Sequence, residues 1–126
     1  MNLAKELDVS EQVIFEGTRN DMPIFRYNMN GELMCSYCEP FGRVTLEGMR
    51  SGLVVIGSNT GGTPEIIFDG EKGLLYRQGD PSDLAKKIKK IYEEESFAKT
   101  LADNAYNYSR SKFAPETNVD SINRVL

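Results

Sequence analysis

The chain has 126 residues, with 15 Lys plus Arg against 19 Asp plus Glu and a formal net charge of -4. That is one domain's worth of sequence, long enough for a core, without the basic surplus of a general nucleic-acid binder. It contains no histidine and no tryptophan, which excludes the commonest general base, the commonest metal ligand and every Ser-His or Cys-His nucleophile pair.

In chain order, "NLAKELDV" (2–9) has the Leu3/Leu7 spacing of a short helix. "QVIFEG" (12–17) is β-rich and closed by Gly, which predicts a strand. "DMPIFRYN" (21–28) predicts a short helix capped by Asp21, with Pro23 in its first turn. "ELMCS" (32–36) has strand length. "RVTLEGMRSG" (43–52) predicts one or two helical turns with Val44, Leu46 and Met49 available for the inner face, ending at Gly52. "LVVIG" (53–57) is a continuous apolar run, as in a strand buried on both faces. "SNTGGTPEIIFDG" is turn-rich and then briefly helical, and "GLLYRQGDP" gives a short strand and a stop. "SDLAKKIKKIYEEES" is the clearest amphipathic helix, with Leu84, Ile88, Ile91 and Tyr92 on one side. A helix from about 97 to 112 follows, and residues 115–126 are expected to be helical as well.

Short strands alternating with helices predict an α/β domain: a parallel sheet with helices on both faces. Right-handed crossovers then bring the ends of strands 32–36 and 53–57 to one edge, where ligands of such sheets bind. The segments "EPFG" and "SNTGG" both follow strands directly. Glu39 and Glu47 stand eight apart around Pro40-Phe41-Gly42. Such a pair serves as an acid and base, a metal site, a clamp for hydroxyl groups or ordinary surface. Its context is more specific than its spacing. A helix beginning near Arg43 has unpaired N–H groups at its positive end, so the amides from Gly42 to Thr45 suit a phosphate. Carboxylates on either side of it suit vicinal diols, and together they suit a nucleotide sugar.

The stretch "SYCEPFGRVTLEGMRSGLVVIGSNTGGTPEIIFDGEKGLLYRQGDPSDLAKKI" (36–88) resembles the C-terminal, nucleotide-binding half of the family 4 retaining glycosyltransferases of GT-B fold. With less specificity the resemblance extends from about Leu3 to Tyr92. It implies an incomplete Rossmann-like GT-B C-terminal domain over residues 1–126. It implies that Glu39 hydrogen-bonds donor-sugar hydroxyls, that Phe41 and Gly42 offer amides to the same sugar, and that Val44 and Thr45 offer theirs to the diphosphate. Glu47 corresponds to the glutamate that clamps the ribose diol. Arg19 is the candidate neighbour of the base. The Gly61-Gly62 turn lines the donor pocket or simply starts the helix after it.

The resemblance implies transfer of a hexose from a nucleoside-diphosphate sugar to a glycan or lipid-linked acceptor, with retention and without a side-chain nucleophile from this half. No cofactor and no metal are implied. The family's basic pair that neutralises the diphosphate has no equivalent here, and Gly31 and Glu32 stand where strand-forming apolar residues are expected. The acceptor domain is expected to be supplied in cis or in trans, so that the chain alone binds without turnover; a non-catalytic sugar-nucleotide or assembly module is the alternative.

Lesser signals point elsewhere. No apolar run approaches the roughly eighteen residues of a membrane span, no secretory leader opens the sequence, and two cysteines read as reduced thiols. A cytoplasmic location is therefore expected. Cys35-x-x-Cys38 has redox spacing, but the helix that would lower the first thiol's pKa begins too late, and strand-end packing is the default. The lysines of "AKKIKKIYEEES" admit peripheral membrane contact of a full enzyme, against which Glu93-Glu94-Glu95 argues locally.

Overall fold

The computed structural model describes residues 2–17, 20–35, 43–61 and 63–112. Its elements are α1 (Asn2–Glu6), a 3-10 turn (Ser10–Gln12), α2 (Met22–Tyr27), β1 (Gly31–Met34), α3 (Arg43–Arg50), β2 (Val54–Ser58), α4 (Thr63–Ile67), β3 (Leu74–Tyr76), α5 (Pro81–Glu93) and α6 (Glu95–Lys112). The three strands form one parallel sheet in the order β1-β2-β3, with Leu33 opposite Ile56 and Ile56 opposite Leu74.

β2 is central, and every one of its residues is buried, as its unbroken apolar sequence predicts for a strand covered on both faces. Alternate residues feed two cores. Val54, Ile56, Leu74 and Tyr76 pack with Leu101, under Leu84, Ile91 and Phe97. On the opposite face Val55 packs with Met49, Ile67 and Ala105, under Leu46 and Tyr108. α6 contributes to both.

Two glycines fit the packing. Gly52 (φ +80°) closes α3, with Leu53 donating its N–H to the Gly48 carbonyl at 3.2 Å, the Schellman ending that only a residue free to adopt positive φ makes without strain. Gly57 lets α4 approach the sheet: a β-carbon there would lie 2.6 Å from Thr63 Cγ2 and 2.8 Å from Ile67 Cδ1. The turn between α4 and β3 is tied to α6, since Lys72 Nζ sits 4.3 Å from the Phe68 ring centre and 4.9 Å from that of Tyr108. Asn104 Nδ2 also donates to the Glu71 carbonyl.

The α/β expectation holds, with corrections. The strand expected over 12–17 does not form: Gln12 ends the 3-10 turn, Gly17 has φ +70°, residues 13–17 pair with no strand among the described residues, and Ile14 is 78% exposed. A strand exists only through its ladder, and apolar composition alone supplies no partner. Asp21 stands at the N-cap of α2 but its side chain makes no capping hydrogen bond. The helix expected over 115–126 lies outside the described residues.

Candidate functional site

Parallel β–α units deliver every strand's carboxyl end, and the helix after it, to one edge of the sheet. Here that edge gathers Met34, Ser58 and Tyr76, followed by the starts of α3, α4 and α5. The start of α5 is already closed: Asp80 Oδ1 accepts the Asp83 N–H at 3.0 Å, and Asp83 Oδ2 accepts the Arg77 N–H at 2.7 Å. The first turn of α3 has no acidic residue, and the first amides of a helix have no intrahelical acceptor. It is the start that suits an anion.

Val44 and Thr45 lie in that turn. The Thr45 side chain is fully buried and anchors it, and its hydroxyl has no hydrogen-bond partner among the described residues. The Thr63 hydroxyl, also buried, is in the same condition. At the end of β2, Ser58 Oγ and Thr60 Oγ1 lie 3.1 Å apart. Burial pushes the Tyr76 phenol up to about 12, and the neighbouring Cys35 thiol adds to the effect. Gly61 (φ +60°) lies in the exposed turn leading to α4, which accounts for a glycine there on conformational grounds alone.

One turn further along α3, Glu47 meets a charge network that joins three elements. Arg26, near the end of α2, donates from Nη1 to Glu47 Oε2 at 3.0 Å and from Nε to Glu32 Oε1, also at 3.0 Å. The Arg26 side chain is 6% exposed, Glu32 16% and Glu47 52%. Glu32 Oε2 is buried, has no partner among the described residues and lies against Gly48, where any β-carbon would collide with it. Burial raises the Glu32 carboxyl above the ordinary glutamate value; the Arg26 hydrogen bond and charge oppose this, and the Glu47 charge adds to it.

The structure thus places Val44, Thr45 and Glu47 on one helix, with Gly61 in a turn at the sheet edge from which that helix starts. Glu39, Phe41, Gly42, Gly62 and Arg19 lie outside the described residues. Arg26 was missed in the sequence. Its signal was the anomaly at Glu32, since a carboxylate in a strand facing a covering helix needs a cation, and Arg26 is its nearest arginine in sequence on the preceding helix.

A groove of about 980 Å³ opens elsewhere, where Gly31, Leu33 and Val54 of the sheet face Ile88 and Tyr92 of α5 and Lys99 of α6. It contains none of the expected donor-binding residues. Cys35 is exposed at the end of β1, and among the described residues the next helix starts at Arg43; Cys38 lies outside the described residues. Lys87, Lys89 and Lys90 of α5 lie within 4 Å of Asp83, Glu93 and Glu94 respectively, an acid-laced face rather than a purely basic one. Among the described residues no helix is long and apolar enough to cross a membrane, and no group of three or more Cys, Asp or Glu is placed to hold a metal ion.

Residues 1–108 match the sequence model of the family described as Glycosyl transferases group 1. Over 124 residues the chain is 31% identical to LpsE, a lipopolysaccharide core biosynthesis glycosyltransferase of Rhizobium meliloti, covering 98% of this chain and 36% of LpsE. HepE of Anabaena, solved in complex with UDP and glucose, superposes with a TM-score of 0.90 at 29% identity, over 98% of this chain and 34% of HepE. The C-terminal domain of LpcC, a glycosyl transferase group 1 family protein of Francisella tularensis, superposes with a TM-score of 0.78 at 26% identity, over 89% of this chain and 59% of that domain's chain. The chain spans 25% to 36% of the length of the first three curated relatives it matches.

Proposed function

The chain belongs to the glycosyl transferases group 1 family, and from that membership we propose that it is the donor-binding part of a retaining, family 4-like glycosyltransferase. The donor is a nucleoside-diphosphate hexose held at the carboxyl edge of the sheet, and the acceptor is a glycan or lipid-linked glycan. The observation that carries this reading is the placement of α3: its first turn, free of acidic residues, starts at the edge where such sheets bind ligands, and a half-exposed carboxylate follows one turn later. HepE, which superposes over nearly the whole chain, was solved with UDP and glucose, and uridine is accordingly the first base to try.

In this reading the amides of Val44 and Thr45 take the diphosphate, and Glu47 accepts hydrogen bonds from the two ribose hydroxyls. Glu39, with the amides of Phe41 and Gly42, takes the sugar; Arg19 borders the base, and Gly61 and Gly62 close the pocket. Charge that develops on the departing diphosphate is met by fixed amides already oriented before reaction, which is where such a site lowers the barrier. No side chain of this half acts as nucleophile, and no resident metal is called for. Transfer takes an acceptor domain as well, in cis or in trans, so the isolated chain binds without turnover. A cytoplasmic location and peripheral membrane contact of the complete enzyme belong to the same reading.

Calorimetry with UDP, GDP and ADP sugars tests it. One of these donors is expected to bind, and Glu47→Ala is expected to weaken it about tenfold or more, since hydrogen bonds to a charged group contribute roughly 1.5–3 kcal/mol. Binding by none of them, or an unchanged affinity in Glu47→Ala, overturns the assignment.

A further inference from the structure

Arg26 is a buried guanidinium that divides itself between two carboxylates. A purely structural partner for Glu32 would present its fork to both oxygens of that carboxylate, the strongest arrangement available to the pair. Arg26 instead gives Nε to Glu32 Oε1 and directs Nη1 to Glu47 Oε2, while Glu32 Oε2 is left buried with no partner among the described residues. Glu32 fixes the guanidinium, and the guanidinium fixes Glu47. A helix glutamate that is half exposed would otherwise sample several rotamers and lose that freedom on binding.

We propose that Arg26 and Glu32 are positioning residues for Glu47, holding its carboxylate in the orientation that accepts a vicinal diol, so that selectivity for a ribonucleoside depends on two side chains that do not touch the ligand. This rests on the reading of Glu47 as the ribose ligand. The chemistry is consistent throughout. A glutamate carboxylate can accept hydrogen bonds at both of its oxygens. Oε1 has no partner among the described residues, and Oε2 retains acceptor capacity beyond its bond to Arg26. Gly48 is the structural counterpart of the device. The residue beside Glu47 on α3 gives up its side chain to make room for the Glu32 carboxylate.

The test compares UDP, GDP and ADP with their 2′-deoxy forms by calorimetry. It uses the wild-type chain, Arg26→Lys and the double variant Arg26→Met/Glu32→Leu, in which no buried carboxylate is left alone. Far-ultraviolet circular dichroism and thermal melts establish that each variant is folded. The expected result is a double variant whose affinity for the 2′-deoxy nucleotide stays within about twofold of wild type while its preference for the ribonucleotide falls at least fivefold. Arg26→Lys, a point donor that cannot serve both carboxylates from the same fork, should fall between. An unchanged ribose preference in the double variant overturns this proposal alone. Equal weakening of both nucleotide forms also overturns it, because that is the signature of a merely structural pair. Failure of the wild-type chain to bind any nucleoside diphosphate overturns the donor-binding reading itself, and this proposal with it.

Discussion

Replacing Arg26 by Met leaves the Glu32 carboxylate in a site where its side chain is only 16% exposed and one of its oxygens already has no partner among the described residues. Removing one member of a buried ion pair ordinarily destabilises by roughly 3–5 kcal/mol. Here a ceiling applies, because the stranded carboxylate can take a proton instead of remaining charged. Against the ordinary glutamate value of 4.5, that uptake costs about 3.4 kcal/mol at pH 7 and about 0.8 kcal/mol at pH 5. The bond to Glu47 adds little, since that carboxylate is half in water. Arg26→Met is therefore expected to lower stability by about 3 kcal/mol at pH 7, equivalent to roughly 10 °C in Tm, and by only about 1 kcal/mol at pH 5. Urea unfolding followed by circular dichroism at both pH values measures this directly. Equal destabilisation at the two pH values would refute the reasoning, because it would mean that charge on Glu32 is not what the variant exposes. So would a loss under about 1 kcal/mol at pH 7, which is the behaviour of a solvated surface pair.

Other substitutions probe the scaffold around the site. Gly57→Ala places a methyl group against Thr63 Cγ2 and Ile67 Cδ1 and should destabilise by about 1–3 kcal/mol in thermal melts, despite the usual gain from replacing glycine. Asp80→Ala removes the side-chain acceptor for the Asp83 N–H and should reduce stability by about 1 kcal/mol in urea unfolding. Wild-type stability should decline as pH rises from about 4.5 through the raised folded value of Glu32, because the folded state keeps that proton longer than the unfolded chain. Glu32→Gln, which cannot titrate, should flatten this decline in melts recorded between pH 4.5 and 7.

Much of the fold was legible because its signals are local. The run Leu53 to Ile56 has no polar interruption and is the buried centre of the sheet. Leu84, Ile88 and Ile91 keep helical spacing along α5, where Asp80 and Pro81 mark the start that the structure shows. Gly52 closes α3 as its sequence position suggests. The misreadings depended on partners that local sequence does not reveal. Val13 to Glu16 have strand composition but no ladder beside them among the described residues, and Asp21 occupies a cap position without making a side-chain capping bond.

The site was legible to a different depth. Val44, Thr45 and Glu47 could be placed on one helix from spacing alone, and that is where they are. The link from Glu47 through Arg26 to Glu32 spans 21 residues in one step and is a property of packing. In the sequence it showed only as a glutamate and a glycine where apolar strand residues were expected.

The central claim is that a nucleoside diphosphate seats on the first turn of α3. An amide-resolved NMR titration of the labelled chain with UDP-glucose tests it most directly. The account predicts that the largest shifts fall at Val44, Thr45 and Glu47 and in the turn at Asn59–Gly61. Shifts confined to the groove between β1, α5 and α6, with the amides of α3 unmoved, would contradict it.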